Sequence, residues 1–270
     1  MQAFELLADW PVDNMAAAII DRGGEIHLHG DESREFRLAS VTKVITAWAV
    51  LIACEEGTVS LTDAVGQEGC TVRHLLAHAG GYPFEGEAPV GVPGARRIYS
   101  NTGYEMLAAH LEARSEMPFW EYVEGSVFDP LGIVAATQTG SSAKDARLDI
   151  VSLSLFLAEI RRPRLLARET FTEAVTPQFD DLEGIVPGIG RFDPCPWGLG
   201  PEIHGIKHPH WMSPNNSAAT YGHFGGSGTF VWVDPIADVA CAVLTDREFD
   251  QWALTHWPEF SSAVLRDVVR

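Results

Sequence analysis

Positive charge is scarce in this chain: 19 lysines and arginines stand against 37 aspartates and glutamates, a formal charge of −18. A surface of that sign repels phosphate backbones, so nucleic acid is excluded as a partner unless a basic patch gathers locally. The densest basic run, Arg161-Arg162-Pro163-Arg164, reads as the end of a helix. Cysteine is sparse too. Cys54, Cys70, Cys195 and Cys241 are widely spaced with no C-x-x-C pair, which argues against a zinc ribbon or a dithiol redox motif. No apolar run approaches the roughly 18 residues that a membrane span needs. The N-terminal stretch MQAFELLADWPVDN is acidic and lacks a positive n-region, so no signal peptide is expected. The expectation is a cytoplasmic chain with reduced thiols that touches neither membrane nor nucleic acid. With 46% hydrophobic residues over 270 positions, it can bury a core without metal or disulfide staples. Nothing in the composition speaks to oligomeric state.

Pattern along the chain is that of an α+β protein. Residues 4–10 suit a short amphipathic helix closed by Pro11. Residues 15–20 and 25–29 read as strands about the turn Asp21-Arg22-Gly23-Gly24, with His27 and His29 alternating onto one exposed face. A long apolar helix follows, ending at Gly57 as its cap. Residues 58–190 are mostly helical, with helices expected over 71–78, 102–115, 119–128, 148–161 and 168–176. Beyond residue 190 the β-branched and aromatic runs 197–203, 221–233 and 237–244 read as strands, and 252–270 closes the chain as a helix. The expected fold is therefore an antiparallel sheet built from both chain ends and flanked by helices (residues 1–57 and 191–270), with an inserted all-helical lobe (58–190).

Three segments carry candidate chemistry. In Ser40-Val41-Thr42-Lys43, positions three apart lie about 60° apart on a helix and one turn from each other. A hydroxyl and an amine thus share a face of an otherwise apolar helix. An ammonium buried without a partner loses its proton more readily and can then accept one from a serine. The structural alternative is Ser40 as an N-cap with Lys43 snorkelling. In Tyr99-Ser100-Asn101, a phenol and an amide precede a helix, or Asn101 simply caps it. In Tyr221-Gly222-His223-Phe224-Gly225-Gly226-Ser227-Gly228-Thr229, glycines open a strand where an acyl group could approach the backbone, or they form a bulge or an anion-binding turn. Thr229 stands where G-x-S-x-G needs glycine, so Ser227 is not a nucleophile elbow. His74 and His78 have i, i+4 spacing, but Leu75 replaces the glutamate of H-E-x-x-H. His204, His208 and His210 read as part of a loop at the cleft rim rather than a metal site.

Together and in this order, the segments resemble the penicillin-recognising serine hydrolases: class C β-lactamases, D-Ala-D-Ala peptidases and related esterases. Ser40-Val41-Thr42-Lys43 is similar to the S-x-x-K motif, Tyr99-Ser100-Asn101 to Y-x-N, and His223-Phe224-Gly225 to the third motif. Residues 72–83 resemble "LLTHTSGLP", 93–104 resemble "PG…YSNTGY", 197–200 resemble a "GLG" strand, and 230–235 resemble "WVDP". The resemblance covers residues 15–265. It implies Ser40 as the nucleophile of an acyl-enzyme and Lys43 with Tyr99 as the proton-transfer pair, the identity of the base being open. It also implies an oxyanion hole from the backbone N–H groups of Ser40 and Gly226, with Asn101, His223, Phe224 and Gly225 at the substrate. No metal or organic cofactor is implied. For Lys43 to be largely neutral near pH 7, its pKa must fall about three units, about 4 kcal/mol.

The departures from the family pattern bear on the substrate. His223 and Phe224 occupy positions where β-lactamases and peptidases carry lysine and a hydroxyl suited to a carboxylate. H-x-G is common in the esterase-like branch, so the resemblance implies a small-molecule ester or amide cleaved through an acyl-enzyme. The alternatives are a β-lactamase or D-Ala-D-Ala carboxypeptidase, and a non-catalytic binding protein with the same fold. Gly80 replaces the serine of "HTSG", which is expected to loosen a turn. The helical lobe is trimmed between residues 132 and 148. A neutral requirement at His223 predicts activity falling below about pH 6.5.

Overall fold

The structure, a computed structural model, describes residues 1–135 and 138–269. Its frame is one antiparallel sheet. Strands β1 (Met15–Ile20), β2 (Ile26–Gly30), β7 (Glu202–Ile203), β8 (Tyr221–Gly225), β9 (Thr229–Asp234) and β10 (Val239–Thr245) stand in the order β2-β1-β10-β9-β8-β7. Both chain ends supply strands, and β1 pairs with β10 from Met15↔Thr245 to Ile20↔Ala240. Two-residue strands β3 (Phe36–Arg37) and β4 (Arg147–Leu148) pair beside it, and β5 (Gly184–Val186) and β6 (Gly190–Phe192) form a separate hairpin.

Helices cover both faces of the large sheet, and the alternation of side chains along each strand assigns them. Ala16, Ala18 and Ile20 of β1 and Ala240, Ala242 and Leu244 of β10 share a core with helices α1 (Thr42–Glu55) and α6 (Ile150–Arg161). The opposite residues, Ala17, Ile19, Cys241 and Val243, pack with Trp252, Trp257 and Phe260 of α8 (Gln251–Val269) and with Leu7 of the N-terminal 3-10 helix Gln2–Asp9. Helices α2 (Val72–Leu76), α3 (Asn101–Ser115), α4 (Phe119–Val123), α5 (Asp129–Leu131) and α7 (Arg168–Ala174) lie in the stretch between. α6 falls within residues 58–190 but lies on β1 and β10, because Leu153, Phe156 and Leu157 are all fully buried in the core that those strands share.

Some sequence expectations shift. Residues 221–233 form two strands, not one: β8 and β9 pair antiparallel about a turn at Gly226-Ser227-Gly228, where Gly228 has φ +82°. Of 197–203 only Glu202–Ile203 is strand, joined to Trp197 by a bridge. His27 and His29 do sit at the sheet's edge, but each has a partner: Asp21 for His27 and the Phe4 ring for His29. Gly80 is buried rather than loosening its turn. A Cβ there would lie 2.7 Å from Leu75 Cδ2 and 3.1 Å from Cys70 Sγ, so the turn is closely packed and a serine would require the Leu75 side chain to shift. Arg270 of the closing helix and Ala136 and Thr137 of the trimmed segment lie outside the described residues.

Candidate active site

Ser40 stands in a 3-10 turn, Ala39–Val41, just ahead of α1. The N-cap of α1 is Val41, which makes no side-chain cap bond, so the Ser40 hydroxyl is not spent on capping. Ala39 holds φ +44°, a conformation that costs a non-glycine residue on the order of 1 kcal/mol. The β8–β9 hairpin keeps it there. Thr229 Oγ1 donates to Leu38 O at 2.9 Å and Ser227 Oγ to Arg37 O at 2.7 Å. Gly225 makes that approach possible, since a Cβ on it would lie 2.3 Å from Leu38 O.

Lys43, one turn later, is completely buried. Its Nζ lies 2.6 Å from Asn101 Oδ1, 3.0 Å from Ala143 O and 3.2 Å from Ser40 Oγ. All three neighbours are neutral. Burial therefore pulls its pKa down to about 7, against weak opposing pulls from Glu105 and Glu85. In the neutral amine, the two N–H bonds go to Asn101 Oδ1 and Ala143 O, which can only accept. The lone pair is then left facing Ser40 Oγ, the arrangement a base needs.

Tyr99 closes the other side. Its ring centroid is 4.8 Å from Lys43 Nζ, and its hydroxyl bonds to the Ser40 side chain and lies 3.4 Å from His223 Nε2. Burial raises the phenol well above its usual range. His223 Nδ1 is 2.7 Å from Phe224 O, and a carbonyl only accepts, so Nδ1 carries the proton and Nε2 is free to accept from Tyr99. Burial, then Lys43, depresses the pKa of His223 to about 3. This moves the expected acid limb. His223 is already neutral at pH 6.5, and Lys43 is the group that titrates near there.

The Tyr99-Ser100-Asn101 loop is fixed by residues that sequence reasoning passed over. Ser100, not Asn101, caps α3, its Oγ accepting from Gly103 N at 2.9 Å and donating to Pro83 O at 2.7 Å. Asn101 is thereby released for Lys43. Its Nδ2 donates to Glu85 Oε1 at 2.9 Å, which holds Oδ1 toward the amine, and Lys144 Nζ binds the same oxygen at 2.8 Å. His78 accepts the Ser100 N–H on Nδ1 at 3.1 Å, and its ring sits between Tyr99, Tyr104 and Trp197. Burial keeps its pKa well below the usual imidazole range. The carbonyl of Ala143 had no side-chain signal; it is positioned because Thr46 Oγ1 donates to Ser142 O at 2.6 Å.

Ser40, Tyr99, His223, Phe224 and Gly226 line one cavity of about 210 Å³ with Val186, Trp197 and Phe249. Gly225 stands behind it, under the Ser40 turn. The arrangement can move a proton from a serine hydroxyl to a buried amine and on through a phenol. A family model described as Beta-lactamase matches residues 8–154, S-x-x-K and Y-x-N included. The chain belongs to the beta-lactamase family. Within this family it is similar to a beta-lactamase from Mycobacterium bovis of known crystal structure, with 43% identity over 99% of this chain and 100% of that one and a TM-score of 0.97. It is 29% identical to penicillin-binding protein 4* of Bacillus subtilis over 36% of this chain and 29% of that protein. It is 24% identical to a putative D-alanyl-D-alanine carboxypeptidase of Salmonella enteritidis over 57% of this chain and 46% of that protein. The matched stretch spans less than half the length of these two curated relatives.

The family fold also explains a misreading. The His204–His210 segment is a loop, as expected, and His208 is exposed, but His204, Lys207 and His210 are buried. Glu202 gathers Lys207 Nζ at 2.6 Å, His210 Nε2 at 2.8 Å and Trp211 Nε1 at 2.8 Å behind Trp197. Glu202 of β7 stands only two residues before that segment, and what the sequence did not show is that the segment folds back over it, out of water. His74 and His78 likewise take separate partners, Thr71 Oγ1 and Ser100 N.

Proposed function

We propose that this member of the beta-lactamase family is an esterase-like serine hydrolase acting on carboxylic esters or amides. The observation that carries the reading is Lys43. Its two neutral-state hydrogens are taken by Asn101 Oδ1 and Ala143 O, with Ser40 Oγ as the third neighbour at 3.2 Å. Lys43 is the base of this proposal rather than Tyr99, whose phenol is too weak an acid to supply a phenolate near neutral pH. Ser40 Oγ attacks the acyl carbon and its proton passes to Lys43 Nζ. The oxyanion lies between the N–H groups of Ser40 and Gly226, each donor worth about 2.7–4 kcal/mol. The C–O bond to the alcohol breaks as that oxygen takes the proton by way of Tyr99. Water then attacks the acyl-enzyme, and the carboxylic acid leaves with Ser40 restored.

Support for an uncharged substrate is the lining at Ser40. Among its described residues there is no lysine or arginine, Phe224 has no hydroxyl, and His223 is neutral above about pH 3. A β-lactam or peptide carboxylate would find no cation there. The 43% identity to a protein described as a beta-lactamase favours a second reading, β-lactam hydrolysis. The proposal includes a reducing, cytoplasmic setting, which suits four unpaired thiols; among the described residues no helix is long and apolar enough to cross a membrane. The test is turnover of p-nitrophenyl acetate and labelling by a fluorophosphonate, both lost in Ser40→Ala. Nitrocefin turnover matching ester turnover would install the second reading. Failure of every acylating agent to shift the intact mass would leave a binding protein.

A further inference from the structure

The cavity at Ser40 is only the inner of two chambers. An outer one of about 440 Å³ adjoins it, and Phe84, Tyr99 and Pro187 line both. The outer walls are Ile98 and Ile185, and its mouth carries Arg96, Glu183 and Arg191. Both arginines are bound to Glu183, so the polar groups at the mouth satisfy one another and leave the floor apolar. Phe84 and Ile185 are each at least half exposed. The apolar surface runs on outward. Gly91 lies against Ile98, and Val90 and Val92 on either side of it are more exposed still. Exposed apolar side chains converging on a cleft have no packing role in the free protein and suit a ligand.

Resting on the hydrolase reading above, we infer that the enzyme prefers esters of a compact acyl group with a bulky apolar alcohol, the alcohol seated in the outer chamber. The geometry follows from where the proton must go. At the tetrahedral stage the oxyanion faces Ser40 N–H and Gly226 N–H, and the leaving oxygen must come within hydrogen-bond reach of the Tyr99 hydroxyl. The leaving group therefore departs on the Tyr99 side, and the wall of the outer chamber begins with Tyr99, Ile98 and Phe84. The acyl substituent stays in the inner chamber. There Trp197, Phe224 and Phe249 enclose it and the tip of the β5–β6 hairpin, Pro187-Gly188, closes over it against Phe249. That hairpin is tied to the catalytic loop, since Arg97 bridges to Gly184. One hairpin thus bounds both chambers.

Two ester series on the full-length protein test this. With the acyl group held as acetyl, kcat/KM is expected to rise about tenfold or more from ethyl to hexyl alcohol, two alkanols of similar leaving ability, in line with the worth of a few buried methylenes. With ethyl as the alcohol, lengthening the acyl group from acetyl to octanoyl is expected to lower it. Ile185→Arg, at an exposed position that the fold tolerates, should reduce kcat/KM for hexyl acetate at least about tenfold more than for ethyl acetate, mainly through KM, whereas Ile185→Leu keeps the preference. Hydrolysis that rises with acyl length and ignores the alcohol overturns this assignment alone, as does an Ile185→Arg loss equal for both acetates. Cleavage of neither series by the folded wild type overturns it together with the hydrolase reading.

Discussion

Two lysines lie buried within this molecule, and their surroundings could hardly differ more. Lys43 is 0% exposed and Lys207 3% exposed, so water is withdrawn from both. Around Lys43 the fold places an amide oxygen, a carbonyl and a hydroxyl. Around Lys207 it places the Glu202 carboxylate at 2.6 Å and a further carbonyl, Pro196 O, at 3.2 Å. Burial alone would push Glu202 up, but Lys207 and His210 outweigh it and hold that carboxyl well below its usual range. Lys43 has no such compensation and falls to about 7. Desolvation is common to both, and the nearest counter-charge separates a structural ion pair from a proton acceptor. Trp197 stands between the two, 5.8 Å from the Tyr99 ring on one side and under Lys207 Nζ at 5.8 Å on the other.

The strongest way to break this contrast is to delete each cation. Lys43→Met should lower kcat/KM for esters by about four orders of magnitude or more, as loss of a nucleophile's base does. Its thermal midpoint should hold, since no carboxylate is orphaned; Lys43→Arg should be equally inactive, its guanidinium being unable to accept a proton. Lys207→Met should do the reverse. Stranding the Glu202 carboxylate costs about 3–5 kcal/mol of stability, read from urea unfolding, while activity per folded molecule survives. Lys207→Met combined with Glu202→Gln should regain part of that loss, since the amide carries no charge and its oxygen can still accept from Trp211 Nε1. Lost activity with kept stability in Lys207→Met, and lost stability with kept activity in Lys43→Met, would dissolve the comparison.

Proton linkage sharpens it further. With Lys43 as the proposed base, activity should be full well above pH 7 and decline tenfold per unit below, with a single apparent pKa near 7 in kcat/KM. Protonation of His223 contributes only near pH 3, so His223→Gln should lower the rate and leave the limb in place. A limb that moved with His223 would return the titration to that histidine. The smallest effect expected is at Glu85, which is more than half exposed and raises the Lys43 pKa from a distance. Glu85→Gln should move the limb down by about a few tenths of a pH unit, with a several-fold loss from a less firmly oriented Asn101 amide.

Much of the site was legible because its chemistry repeats locally. Ser40 and Lys43 are one turn apart, and Tyr99 and Asn101 share a short loop. The antiparallel sheet from both chain ends was equally legible, since β1 and β10 carry continuous small and β-branched runs. The β8–β9 turn was read as continuous strand because Gly226-Ser227-Gly228 interrupts the aromatic pattern for only three residues. The buried cluster at Glu202 was misread because a histidine-rich, proline-containing segment looks like a surface loop until its counter-charge is found.

The sequence by itself determined the family, the order of the motifs, and the groups that can attack, accept protons and donate hydrogen bonds. Those are properties of residue types at short spacing. Tertiary structure alone decided which lysine is left without a carboxylate, which way the Asn101 amide faces, where the His223 proton sits, and that two chambers meet at Tyr99. Each of these is set by burial and by the polar groups that packing leaves beside the side chain, whether adjacent in sequence, as Phe224 O is to His223, or as far off as Asn101 and Ala143 are from Lys43, and there solvation and charge set the chemistry.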